Sequence, residues 1–181
     1  MKNYLYIIYI LLLVACQTNH SEQIFRNDFT NDENKTLLAA KKIIDSAYYG
    51  TLITIDKTHQ PKARIMEPFL PDNKFIIYLA TNPLSRKVNE IKDNHRATLH
   101  YFDKNSVGYV SLMGRITIET NDSIKKSLWK AGWERFYKNQ DDDYMLLKFT
   151  PDYLEVISIT EGLTGDKKTW KPSRVNLYKS K

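Results

Sequence analysis

A chain of 181 residues, 42% hydrophobic, buries one substantial core and is short for two, so one folded domain is expected. The net charge of +6 favours anionic ligands or surfaces over cationic ones. A single cysteine, Cys16, excludes a disulfide within the domain, which burial alone must then hold together.

Lys2 precedes an apolar stretch, Tyr4 to Ala15, shorter than the roughly 20 residues a membrane-spanning helix needs. Residues 1–16 therefore read as a secretory signal. Its end, "LVAC", resembles the bacterial lipoprotein box, which implies that Cys16 is lipidated and becomes the mature N-terminus. The other reading of Cys16 is an incidental thiol at the end of an uncleaved membrane anchor. Residues 17–34, "QTNHSEQIFRNDFTNDEN", are polar and aperiodic, as suits a tether between a lipid anchor and a domain spanning 35–181. The expectation is an exported protein held to a bacterial membrane by lipid, with no nucleic acid among its partners.

In "KTLLAAKKIIDSAYY", residues 35–49, Leu37, Leu38, Ala40, Ile44 and Ala47 fall near one helical face before Gly50 stops the pattern. Six runs rich in β-branched and aromatic residues follow: "GTLITID", "PKARIMEPF", "NKFIIYLAT", "HRATLHYF", "VGYVSLMGRITIET" and "YMLLKFTPDYLEVIS". In the fifth, Val110, Leu112, Ile116 and Ile118 share one parity and Ser111, Arg115 and Thr117 the other, so one face is core. Six short strands joined mostly by turns predict a mainly β fold, a six-stranded antiparallel barrel with flanking helices. Two helices interrupt it, one opening in "TNPLSRKVNEI" and one near 122–138. The second carries Ile124, Leu128 and Ala131 on one face and Trp129, Trp133 and Phe136 on another.

The junction at residues 81–91 carries the chemistry. Asn82 suits an N-cap and Pro83 the first helical position, with Leu84, Val88 and Ile91 as a buried stripe. A helix N-terminus already favours an anion, and Ser85, Arg86 and Lys87 lean over the same spot, where ordinary helices carry Asp or Glu. Phosphate is the natural occupant. The alternative is a solvated cationic face, with Arg86 and Lys87 pairing to Glu90.

"LATNPLSRKVNEI" resembles the phosphate-binding segment of the pyridoxamine 5'-phosphate oxidase-like family of FMN-binding split β-barrels, especially its general stress protein branch. The likeness continues through "PKARIMEPF", "VGYVSLMGRITIE", "WKAGWERFY", "LLKFTPDYLEVI" and "TWKPSRVNL", roughly residues 37–177. It implies that Thr81, Ser85, Arg86 and Lys87 hold the flavin phosphate, that the backbone near Ile65 and Met66 contacts the ring with Arg64 reaching the ligand, and that Trp170 lies by the flavin. By strand parity Arg64 and Met66 share one face, while Ala63 and Ile65 share the other and suit the barrel lining. Arg64 also reads as a plain surface cation, and Trp170 as a packing residue. The resemblance further implies a homodimer with flavin in the cleft between subunits. True vitamin B6 oxidases carry a Lys where Phe69 stands and a C-terminal Arg-Leu-His segment missing here, so pyridoxamine phosphate oxidation is not expected.

His95 and His100, five apart on one strand, point to opposite faces, and the acidic run 141–143 lacks the alternation of a calcium loop, so no metal site is expected. No catalytic acid, base or nucleophile can be nominated, and chemistry would fall to the cofactor. The expected function is an FMN-dependent oxidoreductase of unknown substrate. The alternatives are a non-catalytic flavin-binding or stress-related module, or a haem- or deazaflavin-binding barrel, with His95 or His100 as a haem ligand.

Overall fold

The computed structural model describes residues 29–178. The signal, Cys16 and all but the end of the tether lie outside them. Contacts divide the chain after Lys35, and the unit from Thr36 onward holds the strands described below.

Helix α1 spans Asn31–Ala47 and buries Leu37, Ala39, Ala40, Ile43 and Ile44, while Leu38 faces solvent. Strands β1 (Gly50–Ile55), β2 (Pro61–Met66), β3 (Ile77–Thr81), β4 (Arg96–Asp103), β5 (Gly108–Ile118) and β6 (Met145–Ser158) correspond to the six predicted runs. A seventh, β7 (Ser173–Asn176), pairs with the end of β6 through Val175 opposite Leu154. The sheet is antiparallel throughout, in the order β2-β1-β4-β5-β6-β3. Its ends meet where Pro68 bridges Leu79 and the Phe69 N–H donates to the Tyr78 carbonyl at 2.9 Å, which closes the barrel.

Alternation drives the interior. Leu52, Leu99, Val110, Leu112, Ile116, Leu147, Phe149, Leu154 and Val156 are all fully buried. On β6 the inward parity switches between Phe149 and Leu154, because Asp152 is an extra residue: Met113 pairs with Tyr153 but Gly114 pairs with Pro151. Gly114 is there because nothing larger fits, since a Cβ would meet the Thr150 carbonyl oxygen at 2.2 Å and the Pro151 Cα at 2.5 Å. Gly114→Ala should cost about 2 kcal/mol by overpacking against backbone, read as a melting midpoint several degrees lower.

Two helical expectations are corrected. Helix α2 runs Arg86–Asp93 with Ser85 as its N-cap residue, one turn later than Asn82 would allow. Residues 82–85 form a turn instead, in which the Asn82 side chain accepts from the Leu84 N–H (2.8 Å) and its carbonyl from the Ser85 N–H (2.9 Å). Leu84 is consequently 93% exposed, and Val88 and Ile91 alone of the predicted stripe are buried. The region 122–138 contains only α3 (Asp122–Ser127), capped by Asn121, and a 3-10 turn at Trp133–Arg135. Gly132 adopts φ 87, outside the helical region, and the Leu128 carbonyl accepts from the Tyr144 hydroxyl. Packing of Trp133 against Tyr144, Leu146 and Ala80, with Trp129 and Tyr137 around them, replaces helix continuation.

Candidate functional site

The C-terminal end of β3 delivers Thr81 to the barrel rim, and the turn behind it brings Ser85 and Lys87 back beside it. The Lys87 ammonium donates to Ser85 Oγ at 2.6 Å and to Thr81 Oγ1 at 2.9 Å. An ammonium has three N–H donors, so one is left over. Burial, and then the nearby Arg64 guanidinium, push Lys87 below the ordinary lysine value, which makes an approaching anion doubly favourable. Helix geometry leaves the Arg86 and Lys87 N–H groups at the start of α2 without an intrahelical acceptor, whereas the Val88 N–H already donates to the Ser85 carbonyl at 2.9 Å.

These groups line a cleft of about 380 Å³. Ile65, Met66, Glu67, Trp133, Phe136 and Tyr137 line it with them. Five predicted residues, Ile65, Met66, Thr81, Ser85 and Lys87, thus share one pocket. A larger cleft of about 510 Å³ lies around Ile53, Thr98 and Met113, with Arg96 and Arg115 in cross-strand register; no predicted site residue lines it.

Three predicted residues stand apart from the pocket wall. Arg64 turns inward with Met66, while Ala63 and Ile65 face out, the reverse of the lining expected from their apolar character. The cause is Glu90, whose side chain is 4% exposed. Its Oε2 accepts from Arg64 Nη2 (2.6 Å) and Thr54 Oγ1 (2.5 Å), and its Oε1 from Arg86 Nε (2.8 Å). Burial alone would raise the Glu90 carboxyl, but the Thr54 hydroxyl and the Arg64 and Arg86 guanidiniums outweigh it and hold it below the usual carboxylate range. Arg86 makes the i,i+4 pair with Glu90 and is otherwise exposed. Trp170 sits in a loop at φ 59, 85% exposed.

Sequence reading missed the Glu67 part of the pocket lining. Glu67 Oε1 accepts from the Tyr48 hydroxyl at 2.6 Å and from Lys130 Nζ at 2.9 Å. The only local signals were a carboxylate ending a strand and an aromatic pair ending a helix; Tyr48 bends to φ 58 in placing its hydroxyl. His100, outward on β4, bonds Ser111 through Nδ1 at 2.8 Å, and burial lowers its pKa. Among the described residues no group of acids, histidines or cysteines could hold a metal ion.

An antiparallel barrel closed at β2 and β3, with Lys87 set in a pocket at the helix that follows β3, defines a split-barrel protein. The family described as "Pyridoxamine 5'-phosphate oxidase like" matches residues 35–162, and the chain belongs to it. Among solved structures it is similar to a Clostridium acetobutylicum protein related to general stress protein 26 of B. subtilis (23% identity, TM-score 0.66, 82% of this chain and 100% of that one). It is also similar to a pyridoxamine 5'-phosphate oxidase-related, FMN-binding protein of Nostoc punctiforme (13%, 0.58, 82% and 97%). A third likeness is to a heme-binding protein from Mycobacterium smegmatis (14%, 0.56, 71% and 55%). At these identities the likenesses speak for the fold. No curated protein matches the chain.

Proposed function

We propose that the chain binds FMN, with its phosphate on Thr81, Ser85, Lys87 and the start of α2, and its ring along Ile65 and Met66. The observation that carries this reading is the half-buried Lys87 ammonium held between two hydroxyls at a helix N-terminus, in a pocket also lined by Trp133, Phe136 and Tyr137. A flavin phosphate would supply the missing anion, and the aromatic wall suits a planar ring. Arg64 and Arg86 act through Glu90 as the charged surround of the phosphate.

Bound there, FMN would supply hydride or electron transfer, and the protein would anchor and shield it. The chain is thus read as a flavin-dependent oxidoreductase of unknown substrate. Exposed Ile65, Leu84, Phe102 and Trp170 support a homodimer in which a partner subunit covers the open pocket. Export and lipid attachment through Cys16 complete the proposal.

The test is the absorption spectrum of the purified chain before and after FMN is added, followed by reduction with a nicotinamide donor. A flavin band that bleaches and recovers supports the oxidoreductase; flavin that binds but never turns over leaves a flavin-binding module. A colourless chain that takes up no FMN overturns the reading. The Mycobacterium smegmatis likeness and the outward His100, with its Nε2 without a partner among the described residues, motivate a second reading as a haem site, which a Soret band in the same spectrum would reveal.

A further inference from the structure

The cleft of about 510 Å³ is built by strand register on the outer face of the sheet. Ile53 on β1 pairs with Thr98 on β4, Thr98 with Met113 on β5, and Met113 with Tyr153 on β6, so four half-buried side chains cross the sheet in one row. Neighbouring strands stand about 4.8 Å apart, which makes the row about 14 Å long. Two residues along β4 and β5, on the same face, Arg96 stands opposite Arg115. The bulge at Asp152 bends β6 beside the row, and Asp152 joins the lining there.

Like charges directly opposite each other on neighbouring strands destabilise a sheet. Among the described residues, neither guanidinium has an ion-pair or hydrogen-bonding partner to offset this. Asp152 is the one carboxylate in the lining, and it pairs with neither arginine. Arg174 is committed at the Tyr153 end of the row, stacked on that ring at 3.7 Å and donating from Nε to Asn176. A local rule broken without compensation points to a ligand, and the arginine fork matches an oxyanion. With two cations against one carboxylate, the lining carries one net positive charge and suits a monoanion. A carboxylate on the arginine pair, with a hydrocarbon tail laid along Met113, Ile53 and Tyr153, satisfies both halves of the cleft.

We propose that this outer cleft binds a carboxylate with an elongated apolar tail, of the chemical class of a medium-chain fatty acid, and that Arg96 and Arg115 hold its head. The site shares no lining residue with the pocket at Lys87, so it stands apart from the flavin reading.

The experiment titrates the full chain calorimetrically with octanoate, octanamide and butanoate. Octanoate should bind at least about tenfold more tightly than the amide, which lacks the charge, and than butanoate, which leaves most of the row uncovered. Arg96→Gln and Arg115→Gln should each weaken octanoate about fivefold, the modest scale of exposed charges, and the double variant should bring it down to the level of the amide. Asp152→Asn, by removing the opposing charge, should strengthen octanoate about twofold. Melting curves separate binding from architecture. Loss of either arginine relieves repulsion, so the midpoint should hold or rise while affinity falls. A fall in both would make the arginines structural and overturn the proposal. Equal binding of octanoate and octanamide, or no binding of either, would do the same. Octanoate lost in Lys87→Ala and kept in the arginine variants would put the anion in the other pocket, and a changed sedimentation coefficient of the double variant would make the arginines a subunit contact; each of these results also overturns it.

Discussion

Glu90→Ala should be among the most destabilising single substitutions in the domain, costing about 3–5 kcal/mol. The carboxylate is buried on the inner side of α2 and joins three elements, through Thr54 on β1, Arg64 on β2 and Arg86 on its own helix. Its removal leaves the Arg64 guanidinium, 17% exposed, without its counter-ion, and the Thr54 hydroxyl without its acceptor. Glu90→Gln should cost less, since shape and one acceptor oxygen survive. The dependence on pH has a definite sign. The folded-state carboxyl lies below its ordinary value of 4.5, so its contribution is fully present above that value and is lost as pH falls through the lower folded value. Urea unfolding of wild type and Glu90→Ala at neutral pH and again in acid should therefore show a gap that narrows in acid. A gap that is small at neutral pH, or that widens in acid, would show that the pair is not a net stabiliser.

The same carboxylate explains where sequence reading stops. The period-two alternation of Val110, Leu112 and Ile116 is a local signal, and it located β5 and its buried face. Ala63 and Ile65 are more apolar than Arg64 and Met66, so parity and composition together turned the wrong face of β2 inward. Only Glu90, 26 residues away, makes burial of Arg64 tolerable. The helix start failed differently. Asn-Pro serves both an N-cap with Pro at N1 and a turn with Asn first and Pro second, and the local sequence does not choose between them. The parity switch at Asp152 came from one inserted residue that has no compositional mark; its trace is Gly114 on the opposite strand. That Ser85 and Lys87 would meet was legible because they lie in one helix turn, with Thr81 added by the family resemblance, whereas Tyr48, Glu67 and Lys130 come from three distant segments and meet only in the fold.

That local cluster carries the largest expected effect on binding. Lys87→Ala should weaken FMN binding about 100-fold, the scale of one charge-assisted contact in a partly dry site, roughly 2–3 kcal/mol. Arg86→Ala should weaken it only a few-fold, because that guanidinium is 70% exposed and directed at Glu90. The contrast between neighbours tests the geometry, since sequence alone made them equivalent. Riboflavin, which lacks the phosphate, supplies the control in equilibrium dialysis. Its affinity should be the same for wild type and Lys87→Ala, and an equal loss for both ligands would mean that Lys87 shapes the pocket without touching phosphate. Alkaline titration adds a second check. With its pKa lowered from 10.5 by burial and by Arg64, Lys87 loses its proton earlier than an exposed lysine as pH rises, so FMN affinity should fall there while riboflavin affinity does not follow. A fall shared by both ligands would assign the titration to another group, and the phosphate to another place.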